Sequence, residues 1–256
     1  MPPRLIAVVT LLGDAAVKTR CFERPRYVGD PINTISLLSA FEVEELVLLD
    51  ISESHQVAKT KPIVLERILE NAFMPISYGG GIRSAKDAKF YFDLGFDKVI
   101  LRSALFDTDV VQEISHDYGT QAVSGCLDVI YDESTTSTMT VNGREIEVTD
   151  YDEIIEHISQ LTIGELMVQD VARDGTREGM RMHPLLEKSI ENLQIPVVAV
   201  GGAASVENAA SFVKISRCHS VAASTMFLFH PSRNSVLVAY PSVDKWQQLV
   251  EESTKS

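Results

Sequence analysis

Short apolar segments alternate with amphipathic segments along this whole chain, and that alternation restricts its fold more than any other feature. Most of the apolar segments are continuous rather than alternating with polar residues. Continuous apolar segments are typical of parallel strands, because helices cover both faces of a parallel sheet. The predicted strands are residues 4–10, 45–51, 75–78, 98–101, 122–128, 165–170, 196–200 and 220–223.

Residues that favour helix N-termini lie between the predicted strands. The predicted N-caps and helix starts are Asp30 before Pro31, Ser84, Ser205, Thr149, and His183 before Pro184. Eight strand–helix units in 256 residues predict an α/β fold, a (β/α)8 TIM barrel that forms a single domain over residues 1–256. A doubly wound open sheet is the alternative.

The two halves of the chain resemble each other. Four positions recur in the same order at separations of 120 or 121 residues (202 − 81 = 121; 170 − 50 = 120). The pairs are Gly81 and Gly202, Ser103 and Ser224, Glu45 and Glu165, and Asp50 and Asp170. Because repeated order is a sign of internal duplication, we predict a two-fold repeat of half-barrels, at about residues 1–120 and 121–240.

One long insertion, residues 129–150, follows the fifth predicted strand. Its segment "TMTVNGREIEV" predicts a hairpin with a turn at Asn142-Gly143. In a barrel this insertion would extend from the C-terminal rim, which is the face where active sites form.

Charge and cysteine content exclude several classes of partner and site. The chain has 36 acidic and 23 basic residues, a formal charge of −13, which repels nucleic acid and anionic membranes. Cys21, Cys126 and Cys218 are far apart and form no CxxC pair. We therefore expect no metal site, no cofactor and a reducing cytoplasmic location. The apolar segment near the N-terminus is too short to span a bilayer and lacks a signal peptide's layout, so we predict a buried strand there.

Two glycine clusters follow predicted strands and precede predicted helices. Glycine lets backbone N–H groups approach a ligand closely, and helix N-termini favour anions. Each cluster alone is also compatible with a simple tight turn, but their symmetric positions favour two phosphate sites and a ligand with a phosphate at each end. The first predicted phosphate site comprises Gly80, Gly81, Arg102 and Ser103. The second comprises Gly201, Gly202, Ala223 and Ser224.

Several short motifs occur together in one order: "GDP" (29–31), "ELVLLDI" (45–51), "GGGI" (79–82), "DKV" (97–99), "RDGT" (173–176), "VGGA" (200–203) and "AAS" (222–224). Through them the chain resembles the cyclase subunit of imidazole glycerol phosphate synthase (HisF) over nearly its whole length. The resemblance implies a (β/α)8 barrel that binds a bis-phosphorylated ribulosyl intermediate. It also implies a HisH-type glutaminase at the N-terminal barrel face, whose ammonia crosses the barrel to the C-terminal face.

The resemblance implies two aspartates, on strands one and five, that act as general acid and base. Asp128 matches the second, but Thr10 stands in the place of the first. A hydroxyl does not exchange protons near neutral pH as a carboxylate does, and losing such a group costs about two to four orders of magnitude in rate. Asp14 is close in sequence, although strand geometry gives no reason to expect it in the site. Lys18 matches a lysine expected to touch substrate.

Near the two predicted phosphate sites, two residues match the family's motifs and two differ from them. Asp174 and Gly175 are kept, and the resemblance makes them candidates for phosphate binding. Ala172 replaces an acidic residue, and Arg102 replaces an asparagine. The aspartates Asp50 and Asp170, which end their strands, are further candidates for the pocket.

Charged residues begin four of the predicted strands and match the family's gate for ammonia: Arg4, Glu45, Lys98 and Glu165. Two cations and two anions at one level predict a neutral ring across the barrel mouth. The alternative is that these are ordinary solvated strand ends, because charges are common on any barrel rim.

The leading hypothesis is a diverged relative of the cyclase that receives ammonia from a glutaminase and delivers it for amidation of another acceptor. The stretch "RPRYVGDPIN" (24–33) resembles cyclase-like proteins encoded with surface-polysaccharide genes, which implies sugar amidation by an ATP-dependent partner enzyme. The alternative is a genuine cyclase of histidine biosynthesis, with Asp128 as its principal residue. A sugar-phosphate isomerase also needs a carboxylate on strand one, and a scaffold leaves the glycine clusters unexplained.

Overall fold

A computed structural model describes residues 3–131, 137–141, 144–148, 151–216, 218–230, 233 and 235–252. Twelve strands lie in the described part of the chain: β1 (Arg4–Leu12), β2 (Ala15–Arg20), β3 (Glu23–Gly29), β4 (Leu46–Asp50), β5 (Ile76–Gly79), β6 (Lys98–Leu101), β7 (Val123–Tyr131), β8 (Ser137–Val141), β9 (Arg144–Val148), β10 (Glu165–Asp170), β11 (Val197–Val200) and β12 (Ser220–Ala223).

The α-helices of the same described ranges follow the barrel strands: α1 (Pro31–Ala40), α2 (Pro62–Glu70), α3 (Ala85–Leu94), α4 (Thr108–Tyr118), α5 (Asp152–Ser159), α6 (Pro184–Ile190), α7 (Val206–Ile215), α8 (Thr225–Leu228) and α9 (Val243–Glu252). None of these helices has the length and apolar composition needed to cross a bilayer.

Eight parallel strands close into a barrel. Along the barrel the order is β1, β4, β5, β6, β7, β10, β11 and β12, and β12 pairs back with β1. Because β1 pairs in parallel with strands on both of its sides, the sheet has no free edge there, and the open-sheet alternative is wrong. The predicted (β/α)8 TIM barrel is confirmed.

Helix starts follow the local sequence chemistry. The side chains of Asp30, Ser84 and Ser205 accept hydrogen bonds from the backbone N–H three residues later, at 2.9, 3.2 and 3.2 Å. Each bond satisfies one of the N–H groups that a helix leaves free at its N-terminus, as the sequence predicted. Helix α6 begins at Pro184 as expected, and α5 begins at Asp152, whereas the predicted start at Thr149 lies outside the described residues.

Two hairpins extend barrel strands beyond the C-terminal rim. The first, β2–β3, was not predicted; β2 pairs antiparallel with the end of β1, which therefore continues two residues past Thr10. The second, β8–β9, is the predicted rim hairpin and pairs with the extended end of β7. Its predicted turn, Asn142-Gly143, lies outside the described residues.

The core has two layers because successive side chains of a strand point to opposite faces. One layer fills the space between strands and helices and includes Leu5, Leu46 and Leu48. The other lies inside the barrel and consists of Ile6, Val8, Val47, Ile100, Cys126, Met167, Val198, Val200 and Ala222. The inner layer separates the two ends of the barrel, and charged or polar side chains lie at each end.

The two halves reuse one close contact behind each glycine cluster. Gly80 and Gly201 have φ values of +138° and +104°, and a Cβ on them would lie 2.3 Å from the Asp50 carbonyl oxygen and 2.6 Å from that of Asp170. A carbonyl oxygen of the preceding barrel strand thus occupies the space that any side chain would need. Both glycines are required by the barrel itself, whatever else they do.

Gly201→Ala tests this contact, and Gly119→Ala is its matched control. Gly119 also has positive φ (+89°), but a Cβ there would meet no atom within 4 Å. We expect Gly201→Ala to lower the free energy of unfolding by about 1–3 kcal/mol more than the control, because overpacking adds to backbone strain. Urea unfolding at equilibrium measures the difference, and equal losses in the two variants would contradict the contact.

Candidate functional site

A cavity of about 410 Å³ opens at the C-terminal ends of the barrel strands. Its floor is the upper part of the inner core, including Val8, Ile100 and Ala222, and both glycine clusters line its walls. We call the wall formed by Gly80, Gly81, Arg102 and Ser103 the Gly81 end, and the wall formed by Gly201, Gly202, Ala223 and Ser224 the Gly202 end. The cavity therefore contains both predicted phosphate sites.

Thr10 and Asp128 both line this cavity, on the first and fifth of eight barrel strands respectively, and hence on opposite sides of the barrel. Asp128 is only 3% exposed, and burial raises the pKa of its carboxyl group; Arg102 partly offsets this through its Nη1, 3.0 Å from Asp128 Oδ2. Burial also raises the pKa of Cys126, which keeps that neighbour a neutral thiol. The cavity thus has the Asp128 carboxyl group on one side and the Thr10 hydroxyl on the other.

Lys18 and Asp174 form a buried ion pair at the mouth of the cavity. Lys18 Nζ lies 2.7 and 2.8 Å from the two carboxylate oxygens of Asp174, and Thr19 donates a third hydrogen bond at 3.1 Å. Because Lys18 belongs to β2 and Asp174 to the segment after β10, the pair joins the β2–β3 hairpin to the opposite rim. Its two charges neutralise each other inside the site.

The tip of the β2–β3 hairpin rests on the segment after β10. Cys21 donates its backbone N–H to the Asp174 carbonyl oxygen at 2.8 Å, and its thiol lies 3.1 Å from the Ala172 carbonyl oxygen. A Cβ on Gly175 would lie 2.4 Å from the Thr19 carbonyl oxygen, so only glycine fits under the hairpin. Ala172 therefore supports the hairpin through its backbone and does not line the cavity.

Three other acidic residues considered from the sequence have structural partners. Asp14 pairs with Lys61 outside the cavity. Asp50 lines the cavity, but its carboxylate accepts hydrogen bonds from Ser52 N, Thr60 N and Tyr78 Oη at 2.9–3.1 Å. Asp170 does not line the cavity; it accepts from Arg173 N at 3.2 Å and from Arg181 Nε at 2.7 Å. Asp50 and Asp170 thus hold equivalent loops in the two halves.

Sequence reasoning missed several charged and polar residues of the cavity wall. Glu53 and Arg83 lie at the Gly81 end, and Arg177 and Thr225 lie at the Gly202 end. Arg177 directly follows the "RDGT" segment, so its place next to a recognised motif was a signal in the sequence. In the structure it has positive φ (+61°). Burial lowers the pKa of the Arg177 guanidinium. Glu53 lies in a loop with no recognisable pattern, and nothing in the sequence pointed to it.

A ring of four charged side chains closes the opposite, N-terminal mouth of the barrel. Arg4 pairs with Glu45 and lies 2.7 Å from Glu165 Oε2, and Lys98 Nζ lies 2.9 Å from Glu45 and 3.2 Å from Glu165. Each cation therefore bridges both anions. The strands supply these groups at one level, although β4 begins one residue after Glu45.

Pairing in the ring favours the charged forms of Arg4 and Glu165 despite burial. Burial alone would raise the pKa of Glu165, but the charge of Lys98 and hydrogen bonds from Arg4 and Ser124 lower it. Burial alone would lower the pKa of Arg4, yet Glu165 and Glu45 raise it. Two positive and two negative charges leave the ring neutral overall.

Apolar side chains fill the barrel between the ring and the cavity. Along β1 the inward residues are Arg4 in the ring, Ile6 and Val8 in the inner core, and Thr10 in the cavity. At about 3.3 Å per residue, Arg4 and Val8 are about 13 Å apart along the strand. Among the described residues, no cluster of histidine, cysteine or acidic side chains has the arrangement of a metal site.

Comparisons with known proteins agree with the geometry. Residues 4–231 match the family model described as "Histidine biosynthesis protein". The chain is 33% identical to the putative imidazole glycerol phosphate synthase subunit hisF2 of Pseudomonas aeruginosa, covering 94% of this chain and 97% of that protein. It is 31% identical to the putative subunit hisF3 of Vibrio vulnificus (97% and 96%), and 28% identical to the subunit HisF of Pyrococcus furiosus (89% of both).

Asp128→Asn is expected to stabilise the protein at neutral pH. A carboxyl whose pKa is raised by folding binds its proton more tightly in the folded state, so stability is lost as pH rises through that raised pKa. Asparagine removes this loss, and Arg102, which is partly exposed, keeps water as a partner. At pH 7 the melting temperature of the variant should be higher than that of the unmodified protein. Each kcal/mol gained in the free energy of unfolding raises it by roughly 2–4 °C.

The same comparison below the ordinary carboxyl pKa, about 3.9, should show no advantage, because both states are then protonated. Asp93→Asn on the surface of α3 is the control, since that carboxylate is exposed and pairs with the exposed Lys89. A lower melting temperature for Asp128→Asn at pH 7 would show that the Arg102 contact outweighs burial.

Proposed function

The chain belongs to the histidine biosynthesis protein family, and from this we propose that it is a HisF-like synthase subunit of a glutamine amidotransferase complex. In this proposal a glutaminase subunit docks at the N-terminal face of the barrel and releases ammonia from glutamine. The ammonia passes through the ring of Arg4, Glu45, Lys98 and Glu165 and along the barrel interior. It then reaches an acceptor bound with its phosphate in the C-terminal cavity.

The closed ring is the observation that carries this proposal. The desolvation of buried charges offsets much of their mutual attraction, so stability alone is a weak reason to place four charges at one level. Glu45 and Glu165 are each less than a tenth exposed and would be costly to bury unpaired. A neutral ring of hydrogen-bonding groups suits a small polar passenger, and the apolar interior above it suits ammonia better than ammonium.

The cavity supports delivery of ammonia to an acceptor more than ring closure within this subunit. Its proton-transfer groups comprise Asp128 on one side and Thr10 on the other, so the acid–base pair is half missing. An ATP-dependent amidating enzyme that activates the acceptor needs no second carboxylate here. We therefore propose that the acceptor belongs to polysaccharide biosynthesis, with a sugar as the group that is amidated.

A genuine cyclase of histidine biosynthesis is the second candidate. It is favoured by Asp128, whose burial suits a proton donor, and by the Lys18–Asp174 pair at the cavity mouth. In that reaction Asp128 would transfer protons while the imidazole ring closes, and another group would have to do the work of the absent carboxylate.

Lys98→Met tests the ring. The variant removes the cation that bridges Glu45 and Glu165, so ammonia entry and its coupling to the partner should weaken. We expect the chain to bind a co-expressed glutaminase and to stimulate its glutamine hydrolysis, and we expect Lys98→Met to reduce that stimulation about 5-fold or more. Glutamate release by the complex measures the effect.

Lys89→Met is the matched control for this experiment. Lys89 is an exposed lysine on the outer helix α3 that pairs with Asp93 four residues later and not with the carboxylates of the ring. The control should behave as the unmodified chain does. If no glutaminase binds, or if the two lysine variants give equal rates, the ammonia path is wrong.

Thr10→Asp separates the two candidate functions. With ammonium salt and a saturating concentration of the ribulosyl intermediate, which separates chemistry from weak binding, the unmodified chain should form imidazole glycerol phosphate slowly, and Thr10→Asp should raise kcat about 100-fold or more by restoring a proton-transfer group. Thr10→Asn, similar in size but unable to exchange a proton, is the control. Rapid product formation by the unmodified chain would establish the cyclase instead.

A further inference from the structure

We propose that the ligand of the C-terminal cavity is a monophosphate, held by its phosphate at the Gly202 end, and that the chain's own side chains close the Gly81 end to a second phosphate. This inference deepens the proposed function, because it gives the chemical class of the acceptor, but it does not depend on the ammonia path. It departs from the two-phosphate ligand that the symmetric glycine clusters suggested. The two ends share backbone geometry and differ in the side chains around them.

Carboxylates already pair with the cations around the Gly81 end. Arg83 Nη2 lies 3.0 Å from Glu53 Oε2, and Lys59 Nζ lies 3.9 Å from Glu53 Oε1. Arg102, the third cation at this end, lies 3.0 Å from Asp128. A phosphate would have to compete with an intramolecular carboxylate for each of these positive charges.

Charged side chains lie directly beside Gly81. A Cβ built on Gly81 would lie 2.5 Å from Lys59 Nζ and 2.7 Å from Glu53 Oε2, whereas one built on Gly202 would meet the Gly179 carbonyl oxygen at 2.4 Å, so the two ends differ in the charge beside the glycine and not in free space. Lys59 Nζ also approaches the carbonyl oxygens of Gly80 and Gly81 at 3.4 and 3.3 Å. A phosphate that approached the Gly81 backbone would meet the Glu53 carboxylate, and like charges repel strongly at contact distance.

At the Gly202 end, the described residues leave the charge of one cation, Arg177, without a neutralising carboxylate. The Arg177 guanidinium donates to the carbonyl oxygens of Thr225 at 2.7 Å, Phe229 at 2.6 Å and His230 at 3.3 Å. Carbonyl oxygens fix the orientation of the guanidinium but do not neutralise it. Within the described part of the chain, no carboxylate forms an ion pair with Arg177.

Three buried polar atoms without partners in the described ranges converge on the same end: Arg177 Nε, Ser224 Oγ and Thr225 Oγ1. All three residues line the cavity, and Ser224 is only 8% exposed. A buried donor without an acceptor costs free energy, and a bound ligand that supplies acceptor oxygens would remove that cost for all three. A phosphate dianion supplies acceptor oxygens for all three and the negative charge that Arg177 lacks.

Equilibrium dialysis with radiolabelled inorganic phosphate tests the proposal on the chain alone, without a glutaminase. We expect one phosphate per chain. Arg177→Met should weaken binding about 10- to 100-fold, since it removes a charge-assisted hydrogen bond. Because that loop could lose its fold with the arginine, Ser224→Ala is the second variant and should weaken binding in the same direction.

Glu53→Gln tests the closed end. It keeps the shape of the side chain and removes its charge, which frees Lys59 and Arg83, so this variant should bind two phosphates per chain. Glu66→Gln on the exposed surface of α2 is the control and should bind one. Two phosphates on the unmodified chain, no phosphate binding, or binding that ignores both Arg177→Met and Ser224→Ala would each overturn the inference.

A failure of the ammonia proposal leaves these results unchanged, because neither the ring nor a partner takes part in the dialysis. Conversely, a one-phosphate result does not establish ammonia delivery. The two ideas therefore fail separately.

Discussion

Closure of the barrel between β12 and β1 is the constraint on which the rest of this structure depends. Once a parallel sheet has no edge, every second side chain of each strand must face one enclosed interior. On β1 this rule carries the chain from Arg4 through Ile6 and Val8 to Thr10, that is, from a charged mouth across an apolar section to a polar cavity. The inward side chains of a single strand thus run from the charged mouth at one end of the barrel to the cavity at the other.

The two-fold resemblance of the half-barrels fixes the backbone more strongly than it fixes the chemistry. Asp50 and Asp170 each hold a loop, and each presents a carbonyl oxygen where Gly80 or Gly201 would have its side chain. The side chains added to this common frame differ, with Glu53 at one end and Arg177 at the other. Two similar backbone frames therefore carry different charged side chains at the two ends of the cavity.

Much of the fold followed from the sequence, and less of the site did. Continuous apolar segments located all eight barrel strands, and Asp30, Ser84 and Ser205 located helix starts, because these signals act within a few residues. The β2–β3 hairpin escaped prediction, since its charged segment "RCFERPRYVG" carries no clear alternation and its register depends on β1. Pairs such as Arg102 with Asp128, or Glu53 with Arg83, join residues 26 and 30 positions apart, and only the closed barrel brings them together.

The fit of Gly175 beneath Thr19 has a consequence for how this cavity can change over evolutionary time. The hairpin lies on the opposite rim with no room for even a methyl group, while the Lys18–Asp174 pair fastens the same two segments a few ångströms away. A larger residue at position 175 would lift the hairpin and pull that pair apart, leaving two buried charges unsatisfied. The width of the cavity entrance and the charge balance inside it therefore depend on the same two segments. Substitutions that widen the entrance for a bulkier ligand must also replace the ion pair.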